Sequence, residues 1–320
     1  MTSIAESYAL EPKLFERQYK DHLSEFHQWN QKDHADKWLV LEKNIGTHLS
    51  LDETSISNGE LYSVLTNKAG KGGKGSLIAI VEGTKAEDIS KVFNKIPLHY
   101  RLSVKEVTLD FSPSMEHATQ RSFPNARMTI DRFHVQQLVT EALQEMRVRF
   151  RWKALEEENR AVKQTKQSGT RHTPEVYING DTKKQLLARS RYLLFKPSSK
   201  WTAGQKQRAV ILFERFPELK TGYDLTMCFR GVYETSKTRE EAARRFQDWF
   251  QQVDASSFDV LKTAAHYLED HLETILNYFP DRSTNASAES FNAKLKGFRA
   301  LLRGVSDKKF FLFRVAKIYG

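Results

Sequence analysis

Apolar and polar positions alternate in short stretches over the first 131 residues, then recur at helical spacing to the end of the chain. From Thr47, THLSLD puts Leu49 and Leu51 on one face and His48, Ser50 and Asp52 on the other. ELYSVLT and SLIAIVE read as two further strands, joined by the basic loop NKAGKGGKG into a hairpin. KAEDISKVFNKI predicts a helix, VKEVTLDFS a fourth strand and ARMTID a fifth. Three strands in a meander, then helix, strand, helix and strand, predict an α/β unit with a mixed sheet covered by helices. Residues 1–46 are polar with scattered aromatics and read as a helical lead-in, and the sheet core starts at residue 47 and runs to 131.

After Asp131 the pattern is helical. FHVQQLVTEALQEMRVRFRW carries Val135, Leu138, Val139, Ala142, Met146 and Phe150 at helical spacing. QTKQSGTRHTPEVYINGD is a polar break, and further helices are expected around residues 183–195, 203–215, 239–252 and 258–278. Thr238 with Glu241 three residues on makes a capping box at one of these starts.

A chain of 320 residues can bury a substantial core in one unit or two. Its 50 Lys and Arg against 40 Asp and Glu give a net charge of +10, which favours a polyanionic partner, nucleic acid before membrane. Cys228 is the sole cysteine, which excludes an intrachain disulfide and a cysteine-based zinc site. The first twenty residues lack the pattern of a signal peptide, and no apolar run approaches the roughly 20 residues of a membrane span. The expectation is a soluble cytoplasmic protein with no membrane partner.

Two segments share one design. SLDET and VTLDFS each set an Asp directly after a Leu, so that each Leu can enter the core while Asp52 or Asp110 takes the opposite face. On neighbouring strands such carboxylates would repel unless a cation lay between them. Two ordinary turn aspartates are the other reading. Far downstream, STNASAESFNAKLKGFRALL offers Ser283, Thr284 or Asn285 as a helix cap, with Phe291, Leu295, Phe298 and Leu302 as its apolar stripe. Glu289, Asn292 and Lys296 share another face, by itself an ordinary solvated surface. Combined with the two aspartates, Glu289 completes a set of hard oxygen ligands. Phosphodiester hydrolysis with two Mg²⁺ ions needs no more than that.

The order of elements, Asp52 and Asp110, and the helical Glu289 resemble the ribonuclease-H-like DDE transposases of bacterial insertion sequences. The resemblance is closest to the ISL-three type and covers roughly residues 38–314. FPNARMTIDRFHVQQLVTEAL is similar to that family's segment after the second Asp, and STNASAESFNAKLKGF to its segment around the catalytic Glu. The resemblance implies a ribonuclease-H-like core, a helical insertion over 132–282, and a C-terminal helical part of the core over 283–320. Asp52, Asp110 and Glu289 become catalytic metal ligands for two Mg²⁺ ions, with Mn²⁺ as an alternative. It implies DNA as partner, located with the nucleoid, and a homodimer or higher oligomer on DNA. The family's zinc-binding region and helix-turn-helix find no matching residues here, so the expectation is a catalytic half whose recognition module is either missing or carried by a separately encoded zinc and helix-turn-helix protein.

Other residues are candidates of lesser weight. Asp131 and His134 (DRFH) sit at a strand-to-helix junction, Asp131 as auxiliary acid or helix cap, His134 as ligand or packing residue. Asn292 is a further auxiliary candidate, and Lys294, Lys296, Arg299 and Arg303 follow Glu289 where they can meet phosphates. Two other functions compete: a ribonuclease-H-like nuclease or resolvase that cuts without joining, and a non-catalytic, domesticated DNA-binding transposase.

Overall fold

Strands form where aliphatic and β-branched residues run in short bursts between turn residues. They are β1 (Trp38–Val40), β2 (His48–Ser57), β3 (Glu60–Asn67), β4 (Leu77–Glu82), β5 (Glu106–Leu109) and β6 (Arg127–Ile130). In this computed structural model, which describes residues 2–57, 59–302 and 304–320, the strands make one sheet in the order β1-β4-β3-β2-β5-β6. The first four pair antiparallel, whereas β2, β5 and β6 run parallel. Parallel neighbours need a crossover. Helix α1 (Ala86–Phe93) lies between β4 and β5, and α2 (Pro113–Ser122) between β5 and β6.

The longest helix, α3 (Arg132–Gln167), follows β6 at once, and α4 (Lys183–Arg189), α5 (Ala203–Arg215), α6 (Pro217–Thr235), α7 (Arg239–Asp254) and α8 (Asp259–Asp270) come after it. The chain closes with α9 (Ala286–Leu301) and α10 (Lys308–Tyr319). Two compact units result: Met1–Asp131 together with Ser283–Gly320, and Arg132–Arg282.

Strand alternation gives the first unit three layers. On one face of the sheet Leu49, Leu51, Val107 and Leu109 pack on Ile89 and Phe93 of α1 and Met115 of α2. On the other, Tyr62, Val64, Leu77 and Ile80 pack on Phe291 and Leu295 of α9 and Phe311 and Val315 of α10. In the second unit Trp249 is fully buried, donates from Nε1 to the Leu225 carbonyl at 2.8 Å, and sits 4.6 Å from the Phe229 ring. Among the described residues no helix is long and apolar enough to cross a membrane.

Three expectations need correction. Residues 1–46 are not wholly helical lead-in, because Trp38–Val40 forms the edge strand, with Trp38 opposite Val81. A three-residue strand is too short for alternation to reveal. Helix α6 had not been expected; it starts with Pro217, whose missing N–H costs nothing in the first turn. At the Thr238 cap, the hydroxyl accepts from Glu241 N–H at 3.2 Å, but the Glu241 carboxylate takes the Lys237 N–H rather than that of Thr238.

Candidate active site

Strand register assembles the site. Leu51 lies opposite Leu109, and Leu109 opposite Ile130. The residue after each is an aspartate: Asp52, Asp110 and Asp131. Neighbours in a parallel sheet share a face, so the three carboxylates form one row. A row below lie Ser50, Thr108 and Thr129, all fully buried, and below that Glu106. Asp52 does not end its strand. Strand β2 continues to Ser57 against β3, with Asp52 opposite Val64, while its pairing with β5 stops at Leu51. The aspartate thus stands where the sheet forks.

Helix α9 covers this row. Asn285, Glu289 and Asn292 are spaced i, i+4 and i+7 and so share a helical stripe. Asn285 donates from Nδ2 to Asp110 Oδ1 at 3.0 Å and from its backbone N–H to Asp131 Oδ1 at 3.4 Å. Asn292 donates from Nδ2 to Asp52 Oδ2 at 2.6 Å. Both asparagines are buried, and their amide oxygens have no hydrogen-bond partner. Asn285 holds the N-cap position, but its side chain goes to Asp110 rather than capping the helix. Glu289, between the two amides on the stripe, is exposed. Among the described residues, no three His, Cys, Asp or Glu side chains are grouped so as to hold a metal ion.

Burial pushes the Asp110 carboxyl up to about 8, helped by the charges of Asp52 and Asp131 and opposed by the Asn285 amide. The folded protein therefore holds a proton that the unfolded chain releases near pH 4. This stabilising effect is full below that pH and is lost as pH rises towards 8. With divalent ions chelated, Asp110→Asn should gain on the wild type between pH 5 and pH 8.5 by on the order of 2 kcal/mol. Urea unfolding at the two pH values checks this. A constant difference between the proteins would mean that Asp110 is not the group responsible.

A second polar cluster lies beneath the row. Lys68, from the β3–β4 loop, donates to Glu106 Oε1 at 3.0 Å, to Ser283 Oγ at 2.5 Å and to the Thr108 hydroxyl. Arg127 donates to Glu106 Oε2 at 2.8 Å, and the Ser283 hydroxyl also donates to Glu106. Burial raises the Glu106 carboxyl, but the bonds from Ser283, Arg127 and Lys68 outweigh it and keep it below the usual carboxylate range. Burial lowers the Lys68 ammonium by more than Glu106 restores. The loop itself is docked: Gly72 has φ +69°, and a Cβ there would come 2.9 Å from the Phe291 nitrogen.

The remaining candidates divide. Lys294 is exposed and donates to the Gly72 carbonyl at 2.8 Å; Lys296 is exposed; Arg299 is half-buried with Nη1 3.5 Å from the Ser55 carbonyl. Arg303 lies outside the described residues. His134 belongs to the second unit, its ring edge-on to Phe133 at 5.5 Å.

Residues 49–315 match a protein family described as transposase, a span that includes every residue of the aspartate row and of the α9 stripe. The chain belongs to the ISL-three type of DDE transposases. The chain is also similar to the transposase for insertion sequence element IS1001 of Bordetella parapertussis, with 20% identity over 270 residues. That match covers 84% of the chain but only 60% of the relative's length. Sequence reasoning had passed over the role of Asn285, Ser283 and Lys68 around the row. The third aspartate did carry a signal: Ser-Leu-Asp, Thr-Leu-Asp and Thr-Ile-Asp end at residues 52, 110 and 131, one hydroxyl–aliphatic–Asp triplet written three times.

Proposed function

We propose that the chain is the catalytic core of a DNA transposase that cuts phosphodiester bonds at insertion-sequence ends and joins the freed 3′ ends to target DNA. The observation that carries this reading is the register of Leu51 with Leu109, which sets Asp52 beside Asp110 under helix α9. The meander followed by two parallel crossovers supports a ribonuclease-H-like core.

The donor set fits hard divalent cations. It consists of carboxylate and amide oxygens, with the Asn285 and Asn292 amide oxygens buried and unpaired, and an Asp110 carboxyl that burial and the neighbouring Asp52 charge keep protonated. Asp52, Asp110 and Glu289 would hold Mg²⁺ or Mn²⁺, with Asp131 as auxiliary acid. Bound there, the ions supply Lewis-acid activation of the attacking hydroxyl and neutralise charge on the leaving oxygen. The chain's own residues prepare the site. Asp110 releases its proton to become a ligand, while Asn285 and Asn292 hold the two aspartates in orientation. Lys294, Lys296 and Arg299 offer cationic groups to the DNA backbone beside the acids. Family membership supports DNA as substrate.

Supercoiled plasmid incubated with the chain and 3′-hydroxyl duplex ends, in Mg²⁺ or Mn²⁺, tests the reading. Nicked plasmid together with end-joined products is expected. Nicks without joining would point to a nuclease or resolvase. DNA binding with neither product would point to a non-catalytic protein.

A further inference from the structure

Among the described residues of the second unit, Ile178 is the most exposed large apolar side chain, and neither its own fold nor the proposed chemistry uses it. Beyond α3 the chain makes a narrow loop closed by an antiparallel bridge between Val176 and Thr182. At its tip the Gly180 N–H donates to the Tyr177 carbonyl at 2.8 Å, a β-turn with Ile178 and Asn179 at its centre. Ile178 is 99% exposed and Val176 60%, while Tyr177 between them is turned inward beneath the Arg215 guanidinium, 5.1 Å from the ring.

This tip is braced from below. Asp181 is fully buried, accepts from Arg208 Nε at 2.9 Å and from Arg189, and its backbone N–H donates to Asn179 Oδ1 at 3.2 Å. The Asn179 amide returns a bond to Asp181 Oδ2 at 2.9 Å. Burial raises the Asp181 carboxyl, but the two arginines outweigh it and hold it below the usual carboxylate range. A β-branched residue has one stiff side-chain torsion, so on this braced turn Ile178 is a rigid apolar projection. Its setting is cationic. From Glu156 to Arg191 the chain carries eight Lys and Arg against five Asp and Glu, a net +3, with Lys183 and Lys184 paired to Glu157 and Glu158. Lys163, Lys166 and Arg171 are exposed there.

An apolar wedge on a segment of net positive charge fits double-stranded DNA: the cations meet phosphates while the wedge enters between base steps and partly unstacks them. We infer that the Tyr177–Gly180 turn is a DNA-distorting wedge, with Ile178 as the inserted side chain. The inference rests on DNA being the substrate. It adds a contact outside the carboxylate unit that selects DNA by deformability rather than by base identity.

The test compares binding of the full chain to a short duplex and to the same duplex with a central mismatch, where the stacking cost is already reduced. Wild type should prefer the mismatched duplex by about tenfold. Ile178→Ala should bring the preference close to unity, with thermal stability and affinity for the intact duplex nearly unchanged. The double variant Lys166→Ala/Arg171→Ala should weaken binding to both duplexes and lower the salt slope by about 2, leaving the preference intact. A preference that survives in Ile178→Ala, or is missing from wild type that does bind DNA, overturns the wedge. Loss of self-association in DNA-free Ile178→Ala would overturn it too, by assigning the tip to a second copy of the chain. Failure of wild type to bind either duplex at low salt would instead remove the DNA reading beneath it.

Discussion

Asp110→Asn and Asp52→Asn should each lower Mg²⁺-dependent cleavage on the order of a thousandfold or more, with the fold and DNA affinity retained. Each substitution keeps the side-chain shape and removes one negative charge from the row. Asp110 accepts from Asn285 and Asp52 from Asn292, and an amide oxygen can still accept those bonds. Binding should persist because phosphate contacts rest on separate cations. Glu289→Gln tests the exposed member of the α9 stripe in the same assay. If Glu289 serves only as solvated surface, its variant will cleave like wild type and the ligand set will reduce to the aspartates. Asp131→Asn is the informative comparison, since Asp131 is buried in the row beside Asp110. Wild-type cleavage by Asp110→Asn would end the metal-site reading, whatever the other variants did.

Lys68→Met should produce the largest loss of stability, about 3 kcal/mol in urea unfolding at neutral pH. Lys68 is mostly buried and Glu106 almost wholly so. Removing the ammonium leaves Glu106 with Arg127 and Ser283 and strips Ser283 of its own donor. The penalty comes mainly from the carboxylate left under-compensated in a dry place, since an intact buried pair adds little once desolvation is counted. Lys68→Met combined with Glu106→Gln should recover much of the loss. Equal stabilities for wild type and Lys68→Met would mean that Arg127 alone satisfies Glu106.

Much of this was legible in the sequence, and the rest was hidden for definite physical reasons. Alternation in THLSLD and VKEVTLD carried the strands and the faces of Asp52 and Asp110, because a half-buried strand writes its two faces into every second residue. Register does not appear in a single strand, so the alignment of Leu51 with Leu109 and Ile130 could not be read there. Lys68 reads as part of a basic hairpin loop, since a Gly-rich loop with three lysines gives no hint which one is buried. Asn285 looked like a cap because asparagine is a good one, and only the neighbouring strand makes Asp110 the partner of its side chain. Helix α6 opens with a proline and spreads Leu219, Tyr223, Leu225, Phe229 and Val232 over a wide arc, which blurs the period of a one-sided helix.

The carboxylate unit is drawn from two stretches of chain with the whole of Arg132–Arg282 between them. During synthesis β2, β5 and β6 emerge long before Asn285, Glu289 and Asn292 exist to cover them. The intervening unit is continuous in sequence and can fold on its own schedule. The row of aspartates therefore waits, uncovered and self-repelling, until translation has passed residue 292. A nascent chain stalled at residue 282 carries the strands and the insertion but no helix over the acids, so Asp110 and Asp52 still lack the Asn285 and Asn292 amides that hold them in the finished fold.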